Sequence, residues 1–366
     1  MTYNTGDNLF GVSNYIVSAT PGLGNYLTIQ SAVTAASVAG FTGTVFIKEG
    51  TYTEDVALSP GINLAAFSTN GSLNGSGQVI ISGNMTFSSA GDVSLYGLEL
   101  QTNSNYVLSL SGSAVSIVNL ENCFLNCTNH TGINYTSSSV SSIINLTNCY
   151  GTLRTTGIAF FTSSSAGTMN VSSCVFTNVG NSTTANTVSA GVFFMNYSIV
   201  YNPFSISGTC LLAGDHNRID ASATNTTALS VTASGNCGMG YSLFFSGSAS
   251  AISIGTGSTF NASHIEVNST NTNAIAGSGS IQDGGTIFSG SSSTMVNTLT
   301  RIQNPTSSII QLASGPYLTF GSGSPSGVVT APQGSLYLNI TGNSTSTRAF
   351  INTNGSTGWT NIVTAA

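Results

Sequence analysis

Charge is the property that this sequence has least of. Lys, Arg, Asp and Glu make up 4% of its 366 residues, whereas an ordinary soluble protein has about 25%. Five residues are basic and the formal net charge is −6, so no stripe of positive charge can follow a phosphate backbone, and we expect no nucleic-acid partner. Hydroxyl and amide side chains must therefore carry most of the solvation of the surface.

The sequence also lacks long apolar runs, an N-terminus with the pattern of a signal peptide, and the cysteine spacings of metal sites. No run approaches the ~20 apolar residues of a membrane helix, so we expect no membrane insertion. The N-terminus MTYNTGDNLFGVSNYIV has no basic segment followed by an apolar one, so we expect no signal peptide. No CxxC pair and no nearby His suggests a zinc site at the cysteines, so neither a metal site nor a cofactor is expected.

What the sequence does have is a repeat. Cys123, Cys149 and Cys174 recur at a period of about 25 residues, and each follows an alternating stretch, NLENC, NLTNC or NVSSC. Alternation indicates half-buried strands, and strands and turns at a fixed short period are typical of a solenoid. Rungs of about 22–28 residues fit three strands, and stacking them at ~4.8 Å places equivalent residues in columns. We therefore expect an all-β parallel β-helix with a cysteine ladder in its core and an asparagine ladder at its bends, with disulfides as the alternative for the cysteines.

Composition divides the chain into four parts. Apolar spacing and alanines over residues 26–38 predict a short amphipathic helix that caps the open end of the solenoid. Four prolines crowd into residues 305–332, after three in the first 304. We therefore predict an N-terminal arm at 1–25, a cap-helix region at 26–42, the β-helix at 43–294 and a β-rich C-terminal module at 295–366. Within the β-helix, the aromatic-rich residues 191–206 predict a longer turn or a bulging rung.

One stretch concentrates charge where the rest avoids it. GTVFIKEGTYTEDVAL, residues 43–58, holds Lys48, Glu49, Glu54 and Asp55. With the preceding TIQSAVTAA, it resembles the N-terminal start of right-handed parallel β-helices of the pectate-lyase-like class, as in phage and virus tailspike and fibre proteins. The resemblance implies that fold, and it implies that the charged turn is a structural junction between the cap and the first rung.

The C-terminal residues carry a second resemblance. APQGSLYL (331–338) and GSTGWT (355–360) are similar to the APxGSLYL…GSTGWT module at the end of many phage and virus fibre proteins. This resemblance implies that the module associates, usually as a homotrimer, and that other virion proteins are partners.

Enzymes of the resembled class catalyse their reactions with acidic residues in a groove along one sheet. This sequence has few carboxylates that could play that role. Glu99 and Glu121 align between VSLYGLEL and VSIVNLEN, so stacking would place their carboxylates about 5 Å apart, as in a retaining glycosidase. Such neighbours also raise one pKa, which suits an acid/base role. The plainer interpretation is that both glutamates point to solvent.

A second candidate site is GDHNRID, where Asp215, His216, Arg218 and Asp220 place four ionisable groups within six residues. His and Asp could transfer a proton and Arg could hold an anion. An exposed loop tip explains the same pattern. The paired Asp, Gln and Arg of pectinesterases and the Arg- and Asp-rich groove of calcium-dependent lyases are not recognisable here.

The aromatic residues Phe193, Phe194, Tyr197 and Tyr201 are candidates for ligand binding, because their rings could stack on sugars. The favoured hypothesis is a glycan-binding structural or attachment protein on the surface of a virion or phage tail. A polysaccharide-depolymerising tailspike and a cell-surface adhesin or matrix protein are the alternatives. Enzyme activity stays open, and self-association, virion proteins and cell-surface glycan are the expected partners.

Overall fold

The computed structural model describes residues 15–22, 25–67, 78–101, 105–232, 234–271, 273–283, 286–289, 294–296, 301–303, 316 and 318–363. Within these ranges the chain forms a parallel β-solenoid of three sheets, here called A, B and C, followed by a small fourth sheet, D. The predicted all-β parallel β-helix with three strands per rung is thus confirmed.

Each turn of the solenoid adds one strand to each of the three sheets, and every neighbouring pair within them is parallel. Numbered in chain order, the strands of sheet A are β1 Ile16–Val17, β2 Gly43–Lys48, β5 Ile62–Phe67, β8 Gly91–Tyr96, β11 Ser116–Glu121, β14 Ile143–Thr147, β17 Thr168–Ser172, β20 Val192–Asn196, β23 Leu211–Asp215, β26 Asn236–Gly240, β29 Thr259–Ser263, β32 Ser280–Asp283 and β35 Arg301–Gln303. Those of sheet B are β3 Gly50–Tyr52, β6 Val79–Ser82, β9 Glu99–Gln101, β12 Phe124–Cys127, β15 Tyr150–Leu153, β18 Val175–Asn178, β21 Ile199–Val200, β24 Arg218–Ala221, β27 Leu243–Ser246, β30 Ile265–Asn268 and β33 Thr286–Ser289. Those of sheet C are β4 Val56–Ala57, β7 Met85–Phe87, β10 Tyr106–Leu110, β13 Thr131–Tyr135, β16 Phe161–Ser163, β19 Asn186–Val188, β22 Phe204–Ile206, β25 Leu229–Val231, β28 Ile252–Ile254, β31 Asn273–Gly277 and β34 Thr294–Val296.

The length of a rung can be read from one core column of sheet A. Leu95, Leu120, Leu146, Val171 and Met195 are in register on consecutive rungs, which agrees with the predicted period. The next step, from Met195 to Gly214, is shorter than any of these. The prediction of a longer turn or bulging rung at 191–206 was therefore wrong, because this rung is shorter than the rungs before it. Its aromatic residues Phe193 and Phe204 fill the core, with ring centroids 5.6 Å apart.

The cap is the helix α1, Ile29–Val38, which begins at the N-cap Thr28 and buries its apolar side against the first rungs. Glu54 accepts the first helical N–H groups: its Oε1 lies 2.7 Å from the nitrogen of Ile29 and its Oε2 2.9 Å from that of Gln30. These donors have no partner inside the helix, and a carboxylate there also meets the positive end of the helix dipole. The structural interpretation of this part of the charged stretch is confirmed.

The cysteine ladder also exists. Cys123, Cys149 and Cys174 are free and fully buried at equivalent positions on consecutive rungs, and the backbone N–H of Cys149 donates to Sγ of Cys174 at 3.3 Å. The same column continues in polar residues, since the N–H of Cys174 donates to Oγ of Ser198 and the N–H of Ser198 donates to Oδ1 of Asn217, both at 3.1 Å.

The corner between sheets A and B keeps one length over seven consecutive turns. Two residues separate the strands at every turn from β8–β9 to β26–β27, whereas the B–C corner has three residues between β12 and β13 and seven between β15 and β16. At this A–B corner the first residue has a positive φ from Gly97 to His264, and from Gly97 to Tyr241 its N–H donates to a sheet A carbonyl of the next rung. The column comprises Gly97 (67°), Asn122 (53°), Asn148 (52°), Ser173 (56°), Tyr197 (50°), His216 (54°), Tyr241 (41°) and His264 (54°).

Sheet D forms from the C-terminal residues and has its own small core. Its strands β36 Leu318–Gly321 and β37 Leu336–Asn339 pair in parallel, and β38 Ala349–Asn352 and β39 Trp359–Ile362 pair antiparallel. Ala331, Tyr337, Phe350 and Trp359 are buried on one side of it. The domain boundaries proposed from the sequence stay a prediction, and sheet A itself continues to β35 at residues 301–303.

Candidate functional site

An exposed stack of rings runs along the A–B corner. We call Tyr197, His216, Tyr241 and His264 the ring ladder. Consecutive ring centroids are 4.9, 5.0 and 4.9 Å apart, and the interplanar angles are 16°, 16° and 7°. Tyr197 is 63% exposed and Tyr241 52%. Because the inner faces cover one another, the ring edges are the part that meets solvent.

The ring ladder occupies backbone positions that do not favour such residues. A positive φ suits Gly and Asn, which occupy this column at Gly97, Asn122 and Asn148, and is also tolerated by His, whereas a bulky side chain such as Tyr there costs about 1–2 kcal/mol. Stacked aromatic pairs return about 0.5–1.5 kcal/mol each. Backbone strain repeated over consecutive rungs is a reason to look for a function, because the same corner is built without it elsewhere in the chain.

Both imidazoles of the ring ladder are held by the residue before them. Nδ1 of His216 lies 3.1 Å from Oδ2 of Asp215, and Nδ1 of His264 lies 3.1 Å from Oγ of Ser263. Each of these contacts fixes the ring through one nitrogen. The edge of the ladder therefore alternates imidazole nitrogen and phenol oxygen along the solenoid axis.

A row of amides lies on the outer face of sheet A, on the rungs that precede the ring ladder. We call Asn119, Asn145 and Asn170 the amide ladder. Nδ2 of Asn145 donates to Oδ1 of Asn119 at 2.8 Å, and Nδ2 of Asn170 donates to Oδ1 of Asn145 at 2.7 Å. The asparagine ladder predicted for the bends thus lies mid-strand instead. An outward strand position lets the amides stack in register, while the asparagines of the bend, such as Asn122, serve the positive φ.

The proposed alignment of Glu99 with Glu121 was wrong. Glu121 is in register with Tyr96 in sheet A, whereas Glu99 is in register with Phe124 in sheet B, so the two glutamates belong to different sheets. Glu121 is exposed, but Glu99 is 7% exposed, which corrects the expectation that both point to solvent. Nδ2 of Asn126 donates to Oε1 of Glu99 at 2.7 Å, and Gln78 binds its other oxygen.

The four ionisable residues of GDHNRID are not at a loop tip and do not converge. Asp215 ends β23 in sheet A, His216 is at the corner, and Arg218 and Asp220 belong to β24 in sheet B. Nη2 of Arg218 lies 2.6 Å from Oδ2 of Asp220, whose other oxygen accepts from the hydroxyl and N–H of Ser222. These hydrogen bonds and the charge of Arg218 lower the pKa of Asp220 despite its burial.

The four aromatic candidates are separated as well. Phe193 is fully buried, so the prediction that it binds a ligand was wrong; the alternation of β20 turns it inward. Phe194 is 38% exposed on the outer face of sheet A. Tyr201 is half-buried, and its ring centroid lies 5.5 Å from Cζ of Arg218, which also stacks on Phe245 at 4.5 Å. Tyr197 joins the ring ladder, and no ring-mediated binding was predicted for the other three members.

No cluster of three or more His, Cys, Asp or Glu side chains that could hold a metal is found within the described ranges. No helix in that part of the chain is long and apolar enough to span a membrane. With acidic groups apart from one another, the exposed A–B corner is equipped for ring contacts and neutral hydrogen bonds.

Comparison with known proteins yields similar folds. No protein-family model matches the chain, and no curated protein does. Tailspike protein 3 of bacteriophage CBA120 is 12% identical with a TM-score of 0.42, over 96% of this chain and 69% of that one. Tailspike gp49 of the Acinetobacter baumannii bacteriophage Fri1, described as a capsular polysaccharide depolymerase, is 11% identical with a TM-score of 0.39, over 97% and 78%. Similarity at this level carries no argument about function.

Proposed function

We propose that this protein is an attachment spike or fibre on the surface of a virus or phage particle, and that it binds polysaccharide along the ring ladder. The ring ladder itself is the observation that carries the proposal. Four consecutive rungs place Tyr or His at a strained corner position and turn the rings outward. The core gains nothing from these exposed rings, so a ligand is the reason to display them.

The chemistry around the ring ladder fits a neutral sugar. Tyr and His edges, the amides of the amide ladder and the adjacent hydroxyls offer donors and acceptors, and aromatic rings offer surface for C–H groups. The carboxylate of Asp215 touches the ladder and is already paired with His216. A polysaccharide lying along the solenoid axis could use one ring edge at each rung.

Self-association of the C-terminal module is the second part of the proposal. The face of sheet D opposite its core is apolar and open: Leu318 is 42% exposed, Phe320 74%, Leu336 40% and Leu338 45%. β36 and β37 bring these residues together in pairs, Leu318 beside Leu336 and Phe320 beside Leu338. An open apolar face of this kind marks an interaction site, and a homotrimer would cover it and present three ring ladders to one polysaccharide surface.

A glycan array with purified full-length protein tests the binding. We expect binding to polysaccharides and a loss of at least about tenfold in Tyr241→Ala, which removes a ring that stacks on His216 and on His264. Tyr150→Ala is the matched control, because Tyr150 is 49% exposed on sheet B, against 52% for Tyr241. Absence of any bound glycan, or equal losses in both variants, would overturn the proposal.

A depolymerase is the second candidate, and the Asp215–His216 pair is the observation that favours it, since a carboxylate that orients an imidazole is a common arrangement for proton transfer. The same purified protein, incubated with a bound polysaccharide, should leave the chain-length distribution unchanged if attachment is its role. Shortening that disappears in Asp215→Asn would establish the depolymerase instead.

A further inference from the structure

Two features of the surface change at the same rung. The amide ladder ends at Asn170 on β17, where the next rung has Phe194 in register. The ring ladder begins one rung further, at Tyr197, where the previous rung has Ser173 at the corresponding corner position. The strands β17 and β20 therefore form a step, with small polar residues on one side and aromatic residues on the other.

The side of the step formed by β17 is open and polar. Ser173 is exposed, and Ser172 and Asn170 are partly exposed on the same rung. Asn170 donates through Nδ2 to the amide ladder, but among the described residues no donor is recorded for its Oδ1. A hydrogen-bond acceptor is thus left at the end of the amide ladder.

The side of the step formed by β20 is aromatic. Tyr197 stacks on His216 through one face, and no ring of the described residues lies against its other face, which is turned toward the rung of Ser173. Its 63% exposure agrees with one uncovered face. Phe194, on the same rung, is 38% exposed on the neighbouring sheet A position.

The spacing defines what could occupy the step. Successive rings of the ladder are 4.9–5.0 Å apart, so one more ring-sized layer on Tyr197 would lie directly over Ser173. A saturated sugar ring can present C–H groups on one face to Tyr197 and hydroxyl groups at its edge to the hydroxyls of Ser172 and Ser173. A flat apolar ring would leave those polar groups without partners, which costs binding energy.

We infer that this step is a subsite for a single neutral pyranose ring, stacked on the open face of Tyr197 and hydrogen-bonded to the hydroxyls of Ser172 and Ser173. The inference rests on the proposed glycan-binding function and adds a defined place and orientation for one sugar unit. The plane of that sugar is perpendicular to the solenoid axis, continuing the ring ladder by one layer.

Saturation-transfer NMR of the full-length protein with methyl β-D-glucopyranoside and methyl β-D-galactopyranoside tests the subsite. We expect binding in the millimolar range for at least one probe, with the strongest transfer to the C–H protons of one ring face. Ser173→Leu fills the space over Ser173 with an aliphatic chain, and we expect it to weaken binding about fivefold to tenfold. Asn148→Leu is the control, because it has the same corner geometry one rung further away and leaves the step open.

The outcomes separate this inference from the proposed function. If polysaccharide binding depends on Tyr241 but the methyl glycosides bind equally well to the wild type, Ser173→Leu and Asn148→Leu, the subsite is refuted and the attachment function stands. If neither polysaccharide nor methyl glycoside binds, both fail. Transfer spread evenly over both faces of the sugar would also refute the stacked orientation, even where binding is observed.

Discussion

Replacing Glu54 by Ala should release the cap helix of the solenoid. The two carboxylate oxygens accept the N–H groups of Ile29 and Gln30 at 2.7 and 2.9 Å, at the positive end of α1. A hydrogen bond to a charged group contributes about 1.5–3 kcal/mol, and this carboxylate is half-exposed, so the lower end applies and water replaces part of the loss. We expect the free energy of opening α1 to fall by about 2 kcal/mol.

Hydrogen exchange measures this effect locally, because a solenoid opens in segments and its ends open first. A loss of about 2 kcal/mol corresponds to a roughly 30-fold drop in the protection of the amides in the second turn of α1. Glu54→Gln keeps one oxygen acceptor without its charge, so we expect about half of the free-energy loss. Amides of strands far from the cap, such as those of β14, should be unaffected.

Glu49 supplies the control within the same charged stretch. Its side chain is exposed and makes no recorded hydrogen bond to a described residue, so Glu49→Ala should change the protection of α1 by less than about twofold. The reasoning would be refuted if Glu54→Ala left α1 protected as in the wild type. Equal losses in the two variants would refute it too, since net charge and not the capping geometry would then be responsible.

Three further predictions concern the core, the amide ladder and the C-terminal module. Burial raises the pKa of Cys127 from 9.0 to about 12, so the stability that its protonated thiol contributes is complete below pH 9 and is lost as the pH rises toward 12. In denaturant titrations, Cys127→Ala should make the unfolding free energy fall less steeply with pH over this range. An unchanged slope of unfolding free energy against pH would contradict the prediction. Asn145→Leu removes both amide contacts of the central Asn and should cost about 1–2 kcal/mol by urea denaturation, whereas an unchanged midpoint would show that the amide ladder contributes no stability. Phe320→Lys places a charge on the open face of sheet D and should lower the mass measured by light scattering, whereas Val140→Lys, at a residue 75% exposed on the solenoid, should not; an oligomer intact in both would exclude that face from the interface.

The fold was predictable because the same residue type recurs at the same core position on successive rungs. Cys123, Cys149 and Cys174 recur at one core position, and that recurrence alone indicates stacking at a period of about 25. The error at Glu99 has the same origin. Leu95 and Leu98 are both plausible matches for Leu120, and the sequence pattern does not distinguish Leu95 as the partner in register. A small shift of the alignment along the chain moved Glu99 from sheet B to sheet A.

The ring ladder was missed although a signal for it exists. The residue before each ladder cysteine is Asn122, Asn148 or Ser173, and extending that column forward leads to Tyr197 and the other ring residues. The regular spacing does not extend to these ring residues, because the rung between Met195 and Gly214 is short and no cysteine continues the column after Cys174. The burial of Phe193 follows from the alternation of inward and outward side chains along β20, but only once the register of β20 with its neighbours is known.

The two-residue corner that seven consecutive turns share between sheets A and B has a consequence for how such a surface can diversify. Insertions can accumulate where sheet B passes to sheet C, since that connection already varies from three to seven residues. The A–B edge has no such freedom, because one extra residue would turn the following strand inside out. New binding specificities at this edge must therefore arise by point substitution of the corner residues, one rung at a time, while the length of the corner stays fixed.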